Sequence, residues 1–397
     1  MMKDVNIVLG VTGGIAVYKA CDLVSRLKKM NASIDVIMTA SALEFVAPLT
    51  FQSMALNRVV TDMFAEPKTW DIEHISLAKK ADVFVIAPAT ANIIGKIANG
   101  IADDMLSTTV MATKAPVLIA PAMNTGMYEN PVVQENIEKL KRLGYHFVEP
   151  ESGRLACNDI GKGKLAHPEE IVRQISKLLY KKKDLIGKRI LITAGPTVEA
   201  LDPVRFLTNK STGRMGYQLA EIAALRGAEV TLVTGPTRIE KPKDVRIIEI
   251  VSTQDMFDAV MSEKDSHDVF IGAAAPADYR PAKYAVNKIK KSDDDMAIPL
   301  ERNPDIAQTL GLEKGHMISV GFSVETENVF ENSMKKLKKK NFDMIVVNDV
   351  TKEGAGFGTD TNIVTLIDRS GDSKAYDLMS KRDVAELILD KIATKIN

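Results

Sequence analysis

The chain opens the same strand, glycine turn and helix twice. An apolar run from Ile7 to Leu9 passes into Val11-Thr12-Gly13-Gly14-Ile15-Ala16, and a second from Arg189 to Thr193 passes into Ala194-Gly195-Pro196-Thr197. Such an opening commits each half to parallel strands joined by helices, because a parallel neighbour can be reached only by a long crossover. After the first turn Ala20, Leu23, Val24 and Leu27 recur at helical spacing and a strand follows from Ile34 to Met38. After the second, the span from Met215 to Leu225 is helical in pattern, Gly227 stops it, and Val230 to Val233 is the next strand. The third strands match almost residue for residue: Asp82-Val83-Phe84-Val85-Ile86-Ala87-Pro88-Ala89 in one half, Asp268-Val269-Phe270-Ile271-Gly272-Ala273-Ala274-Ala275 in the other. Further strands are expected at Val117 to Ala120, Phe147 to Val148, Ile318 to Phe322 and Met344 to Val347. These near-continuous apolar strands predict an α/β fold with two doubly wound, mainly parallel-sheet, Rossmann-like domains. The tail differs: Ile363 to Ile367, a turn at Asp368 to Asp372 and a pattern from about Lys381 read as a hairpin and a closing helix.

A length of 397 residues exceeds what one core usually organises, and 45% hydrophobic residues suffice for two. The domains are expected at 1–183 and 184–397, with Lys181-Lys182-Lys183 as a solvated helix end between them. Lys+Arg and Asp+Glu balance at 52 each, so no global field favours nucleic acid or an anionic membrane, and phosphate recognition must be local. The amino terminus carries no apolar signal region and no later run approaches the ~18 apolar residues of a spanning helix. The expectation is a soluble cytoplasmic protein. The two cysteines, Cys21 and Cys157, form neither a disulfide framework nor a zinc spacing.

In doubly wound sheets ligands bind beyond the carboxyl ends of the strands. In the first half those ends carry Gly13-Gly14, Thr39-Ala40-Ser41-Ala42, Ala89-Thr90-Ala91-Asn92 and Pro121-Ala122-Met123-Asn124, small and hydroxyl residues suited to a phosphate at helix starts. Neither turn has the GxGxxG spacing of a dinucleotide site, which argues against a nicotinamide dehydrogenase. Together with Ile101-Ala102-Asp103-Asp104 and Thr125-Gly126-Met127-Tyr128, these segments closely resemble the homo-oligomeric FMN-containing cysteine decarboxylases, and in particular phosphopantothenoylcysteine decarboxylase. Tyr128 stands where that family often has tryptophan, and Asn158 where it usually has glycine.

The resemblance implies a flavodoxin-like domain holding FMN through Gly13, Gly14, Thr39, Ser41, Ala89, Thr90, Asn92 and Ser107, with His74, Asn124 and Cys157 as catalytic residues. Direct loss of CO2 from a C-terminal cysteine leaves an unstabilised carbanion. An electron sink is needed, and the resemblance implies that FMN first oxidises the thiol side to a thioaldehyde and then reduces the enethiolate left after decarboxylation, so that no external oxidant is consumed. His74 would assist the oxidation as base or electrostatic partner, Asn124 would orient the carboxylate and Cys157 would return a proton. Taken alone, His74 also fits an exposed helix histidine and Asn124 a loop cap.

The second half carries the long polar loop from Gly195 to Gly216, which contains Asp202, Arg205, Asn209, Ser211 and Arg214 and opens a helix. With Ala277-Asp278-Tyr279-Arg280-Pro281, Lys288-Ile289-Lys290-Lys291 and Asn303-Pro304-Asp305-Ile306, it closely resembles phosphopantothenate-cysteine ligase; Thr212 and Arg214 replace the commoner serine and lysine. A carboxylate becomes an acyl donor only when an oxygen is made a leaving group. The resemblance implies that 4'-phosphopantothenate attacks the α-phosphate of CTP, with Mg2+ held mainly by the phosphates, and that cysteine then displaces CMP from the acyl-cytidylate. Lys288 would neutralise triphosphate charge and Asn209 would turn over the acyl-cytidylate. Ala273, Ala274, Ala275, Asp278, Asn303, Pro304, Asp305, Ile306, Phe322, Lys336 and Lys340 would form the nucleotide pocket. Lys336 and Lys340 lie four apart, on one helix face that is otherwise read as a solvated basic surface. The stretch from Gly354 to Gly358 reads as a flap or a simple loop.

The expected function is therefore two steps of coenzyme A synthesis: ligation of cysteine to 4'-phosphopantothenate, then decarboxylation of 4'-phosphopantothenoylcysteine to 4'-phosphopantetheine. The family further implies ligase dimers and a trimer-based or dodecameric decarboxylase core. The alternative class is a flavin-binding regulatory or scaffold protein on the same fold.

Overall fold

The computed structural model describes residues 2, 4–64, 72–154, 160–290, 296–324, 329–348, 356 and 358–396, with Val329 by its backbone alone. The chain forms two compact units, Met1–Lys181 and Lys182–Asn397.

The first unit is built on strands β1 (Asn6–Val11), β2 (Ser33–Met38), β3 (Val59–Val60), β4 (Val83–Ala89), β5 (Val117–Pro121) and β6 (His146–Phe147). They form one sheet in the order β3-β2-β1-β4-β5-β6, and every neighbouring pair is parallel. Alternate residues of β1 and β4 enter opposite cores: Ile7, Leu9, Val83 and Val85 lie on one side, Val8, Phe84 and Ile86 on the other. This is why the strands read as unbroken apolar runs. The helix Val17–Lys29 buries the expected stripe of Ala20, Leu23, Val24 and Leu27, each fully shielded. Burying one such leucine or valine contributes about 1.5–3 kcal/mol. An antiparallel hairpin of β7 (Glu151–Arg154) and β8 (Ile160–Lys164) follows, and the helix Pro168–Leu179 closes the unit with Ile171 and Ile175.

The second unit contains β9 (Arg189–Ala194), β10 (Val198–Ala200), β11 (Phe206–Thr208), β12 (Glu229–Thr234), β13 (Arg246–Glu249), β14 (Val269–Gly272), β15 (Tyr279–Pro281), β16 (Leu300–Arg302), β17 (Ile318–Val324), β18 (Met344–Asn348), β19 (Thr361–Asp368) and β20 (Ser373–Ser380). Its main sheet runs β13-β12-β9-β14-β17-β18-β19-β20, parallel as far as β18 and antiparallel beyond. The first six strands repeat the order of the first unit. The tail adds the antiparallel pair and the helix Lys381–Ile396, whose Val384, Ile388, Leu389 and Ile392 are fully buried. A buried arginine ties the unit together: Arg226, at the end of the helix Arg214–Leu225, pairs with Asp184 and with Asp390, each at 2.6 Å. Removing either carboxylate would leave charge under-compensated in the interior, the costly case for a buried pair.

Candidate active sites

In the first unit the strand order reverses between β1 and β4, and the loops after β1, β2 and β4 meet there. The buried Thr12 hydroxyl donates to the Pro88 carbonyl at 2.7 Å and accepts from the Thr90 N–H at 3.1 Å, joining the loops after β1 and β4. Gly13 touches the loop after β2 so closely that an added Cβ would stand 2.4 Å from the Cβ of Ser41. Thr39 opens the helix Ala40–Leu43, and its buried hydroxyl has no partner among the described residues. An unsatisfied buried hydroxyl costs about 1–3 kcal/mol, so the site calls for an outside hydrogen-bonding group. Thr90 caps the helix Ala91–Ala98 by accepting from Ile93, with Ala89 buried before it and Asn92 exposed in the first turn. Gly14 borders open space. Thus Gly13, Thr39, Ser41 and Thr90 gather hydroxyls and helix starts at one edge of the sheet, a donor set whose chemistry suits a phosphate group. Ser107 is engaged differently: it forms a capping box with Asp104 at the helix Met105–Ala112, donating to Asp104 Oδ1 at 2.8 Å.

The loop after β5 is held between β4 and the hairpin. Ala122 N–H donates to the Ala89 carbonyl and Met123 N–H to the Gly163 carbonyl, both at 2.9 Å. Asn124 follows as the cap of a single helical turn, its Oδ1 accepting from Gly126 N–H at 2.8 Å. The hairpin seats on this loop through Gly163, at φ +142°, where a Cβ would lie 2.3 Å from the Met123 carbonyl oxygen. Tyr128 is buried in the core beside β4, and burial raises the pKa of its phenol. His74 stands half-buried in the first turn of the helix Glu73–Lys80. Cys157 and Asn158 lie outside the described residues.

The second unit surrounds a cavity of about 970 Å³. Asn209, Ala273, Ala274, Ala275, Asp278, Asn303, Pro304, Asp305, Ile306, Phe322, Lys336 and Lys340 all line it. Asn209 reaches across from the long loop, its amide donating to the carbonyls of Ala275 at 3.0 Å and Pro276 at 3.1 Å. A buried network supports the same segment: Glu199 accepts from the N–H and hydroxyl of Thr253, Thr253 meets Thr197, and Thr197 accepts from Ala277 N–H at 2.9 Å. Asn303 donates to the Ala277 carbonyl at 2.9 Å. Asp305 caps the helix Ile306–Glu313 and pairs with Lys340 at 3.1 Å, while Lys336 donates to Ser323 at 3.2 Å. The basic face therefore turns inward in part rather than wholly to solvent.

Lys288 stands apart from this group: it is exposed and is not among the residues that line the cavity. Its segment is anchored by the next residue. Asp202, only 2% exposed, accepts from the N–H groups of Val204 and Arg205 through Oδ1 and from Ile289 N–H through Oδ2 at 3.1 Å. Burial opposes ionisation of Asp202, but these N–H donors and Arg205 outweigh it and hold the carboxyl below its ordinary 3.8. A depressed carboxylate pKa stabilises the folded unit above the unfolded value, and the contribution is lost as pH falls through the folded value. The melting-temperature gap between the wild type and Asp202→Asn is therefore expected to be constant near neutrality and to shrink as the pH drops below 3.8. A gap unchanged by acid would assign the anchoring to something other than the charge.

Several cavity residues escape sequence reasoning. Asn348 ends an apolar strand, the place where a polar residue faces a ligand, and its Oδ1 is buried without a partner among the described residues. Asn362 and Lys381 come from the antiparallel tail, where that rule gives no signal. Arg214, which stands where the resembling family more often has lysine, is paired with Asp360. Of the stretch from Gly354 to Gly358, read as a flap or a simple loop, only Gly356 and Gly358 fall within the described residues, and Gly356 lines the cavity. Among the described residues no group of three or more His, Cys, Asp or Glu side chains is placed to hold a metal ion.

The Flavoprotein family model matches residues 1–180, and that of the DNA/pantothenate metabolism flavoprotein C-terminal domain matches residues 185–396. Fold and matches together define the class, a flavoprotein of two Rossmann-like domains. The chain is 50% identical over 396 residues to the coenzyme A biosynthesis bifunctional protein CoaBC of Bacillus subtilis (strain 168), covering 99% of this chain and 98% of that one. It is 45% identical over 393 residues to the protein of the same name from Vibrio vulnificus (strain YJ016), covering 98% and 97%. A cysteine/cysteine sulfinic acid decarboxylase from an unknown prokaryotic organism is 43% identical over 359 residues, 89% of this chain and all of that one. The chain belongs to the family of bifunctional coenzyme A biosynthesis proteins, enzymes that combine a ligase with a decarboxylase.

Proposed function

We propose that the second unit joins cysteine to 4'-phosphopantothenate using CTP and Mg2+, and that the first unit decarboxylates the resulting 4'-phosphopantothenoylcysteine to 4'-phosphopantetheine with FMN. The observation that carries the reading is the single cavity around which Asn209, Asp278, Phe322, Lys336 and Lys340 converge from separate parts of the chain. Phe322 offers the base an apolar wall, Lys336 and Lys340 meet the phosphates, and the carbonyls of Ala275 and Pro276 fix the amide of Asn209 beside the acyl-cytidylate. Lys288, on the segment anchored by Asp202, is assigned to neutralising triphosphate charge, and Mg2+ travels with the nucleotide.

In the first unit Gly13, Gly14, Thr39, Ser41, Ala89, Thr90 and Asn92 are assigned to FMN, with Thr39 meeting a phosphate oxygen through its unpartnered hydroxyl. Bound FMN supplies a reversible two-electron couple. Asn124 orients the substrate carboxylate, His74 holds or accepts a proton at the oxidised end, and Cys157 returns a proton to the decarboxylated product. Both units are assigned to the cytoplasm and to a homo-oligomer; among the described residues no helix is long and apolar enough to cross a membrane.

The kinship to a cysteine/cysteine sulfinic acid decarboxylase favours a second reading, decarboxylation of the free amino acid. Purified protein should show a flavin spectrum and release CMP only when phosphopantothenate, cysteine, CTP and Mg2+ are all present. CMP release indifferent to phosphopantothenate, or none, would reject the ligase assignment, and a flavin spectrum without turnover would favour a binding protein.

A further inference from the structure

Asn362 is 3% exposed, lines the cavity of the second unit, and has no assigned role in either active site. It lies near the start of β19, which pairs with β18 antiparallel, Asn348 facing Val364, so that this start meets the edge where the parallel strands end. Its carboxamide is poorly served by the chain. Nδ2 approaches the Met215 sulfur at 4.0 Å, and Oδ1 is buried without a partner among the described residues. Turning the amide over does not help, since a thioether is a weak acceptor and offers nothing to a carbonyl oxygen. The neighbouring cation is committed elsewhere: Lys381 donates to the carbonyls of Gly356 at 3.1 Å and Thr359 at 2.6 Å. Asn362 thus brings to the cavity lining an acceptor without a partner among the described residues, and what it lacks is a donor.

We propose that Asn362 is a specificity-determining residue of the ligase site, its side-chain carbonyl accepting a hydrogen bond from the bound nucleotide. The inference rests on the nucleotide reading of the cavity. Ionised phosphates carry no proton to donate, so the partner is a hydroxyl of the ribose or the exocyclic amine of the base. Both present the same chemistry, an O–H or N–H donor beside an apolar wall. A site that hydrogen-bonds one such group rejects the analogue lacking it, because the buried acceptor is then left unpaired.

The test is calorimetric titration of the full-length protein, wild type, Asn362→Leu and Asn362→Ala, with CTP, 2'-deoxy-CTP, 3'-deoxy-CTP and UTP, alongside melting of the unliganded proteins. Both variants are expected to bind CTP about tenfold more weakly. Unliganded Asn362→Leu should melt no lower than wild type, since it removes a buried unsatisfied group. If a ribose hydroxyl is the donor, the wild-type preference for CTP over one deoxy analogue collapses in the variants. If the base amine is the donor, the preference for CTP over UTP collapses instead. Unchanged CTP affinity, or equal weakening toward every nucleotide with lowered melting of both variants, would overturn the proposal. Failure of the wild type itself to bind any nucleotide would overturn the nucleotide reading, and this inference with it.

Discussion

Replacing Asn209 by aspartate is expected to cut ligase turnover at least about a hundredfold while decarboxylation of supplied 4'-phosphopantothenoylcysteine continues. The amide of Asn209 donates to two carbonyls, those of Ala275 and Pro276. A carboxylate cannot donate to either, so the substitution sets three acceptors against one another and adds negative charge where a triphosphate is proposed to bind. The loop must move, and a displacement of about 1 Å at a positioning group can cost a hundredfold in rate. CMP release in steady state, measured beside CO2 release from the preformed intermediate, checks both halves. Equal loss of both activities would mean that the variant had disturbed the whole chain.

The second large effect lies in the first unit. Gly163→Ala is expected to abolish most decarboxylation and leave the ligase intact. At φ +142° an alanine is strained, and its Cβ would stand 2.3 Å from the Met123 carbonyl oxygen. Gly163 also accepts the Met123 N–H, so separating the hairpin from the loop breaks the contact that holds Asn124 in place. The backbone strain alone costs about 1–3 kcal/mol, small enough for the sheet to persist while the loop is lost. Retained decarboxylase activity with an unshifted flavin spectrum would show that the hairpin does not organise the site.

Most of the scaffold was legible because buried parallel strands announce themselves: Val83 to Ala89 and Val269 to Gly272 are apolar on both faces, and the helix Val17–Lys29 keeps its stripe. Short elements gave no such signal. Val59–Val60 and Phe206–Thr208 are too brief to show a period, and Arg246–Glu249 is a half-exposed edge strand. The cavity residues at strand ends could be read because ligands gather there. Asn362 and Lys381 could not, since only the pairing of β19 with β18 carries the tail to the same edge. Lys288 shows the converse, a motif residue whose neighbour Ile289 is anchored to Asp202 while Lys288 itself is not among the residues lining the cavity.

The most direct test of two chemistries in one chain uses cysteine labelled in its carboxyl carbon. Incubated with the protein, labelled cysteine should yield labelled CO2 only when phosphopantothenate, CTP and Mg2+ are present together, with CMP and 4'-phosphopantetheine formed in equal amounts. Labelled CO2 from cysteine alone, or CMP release with no CO2 from flavin-loaded protein, would contradict the account.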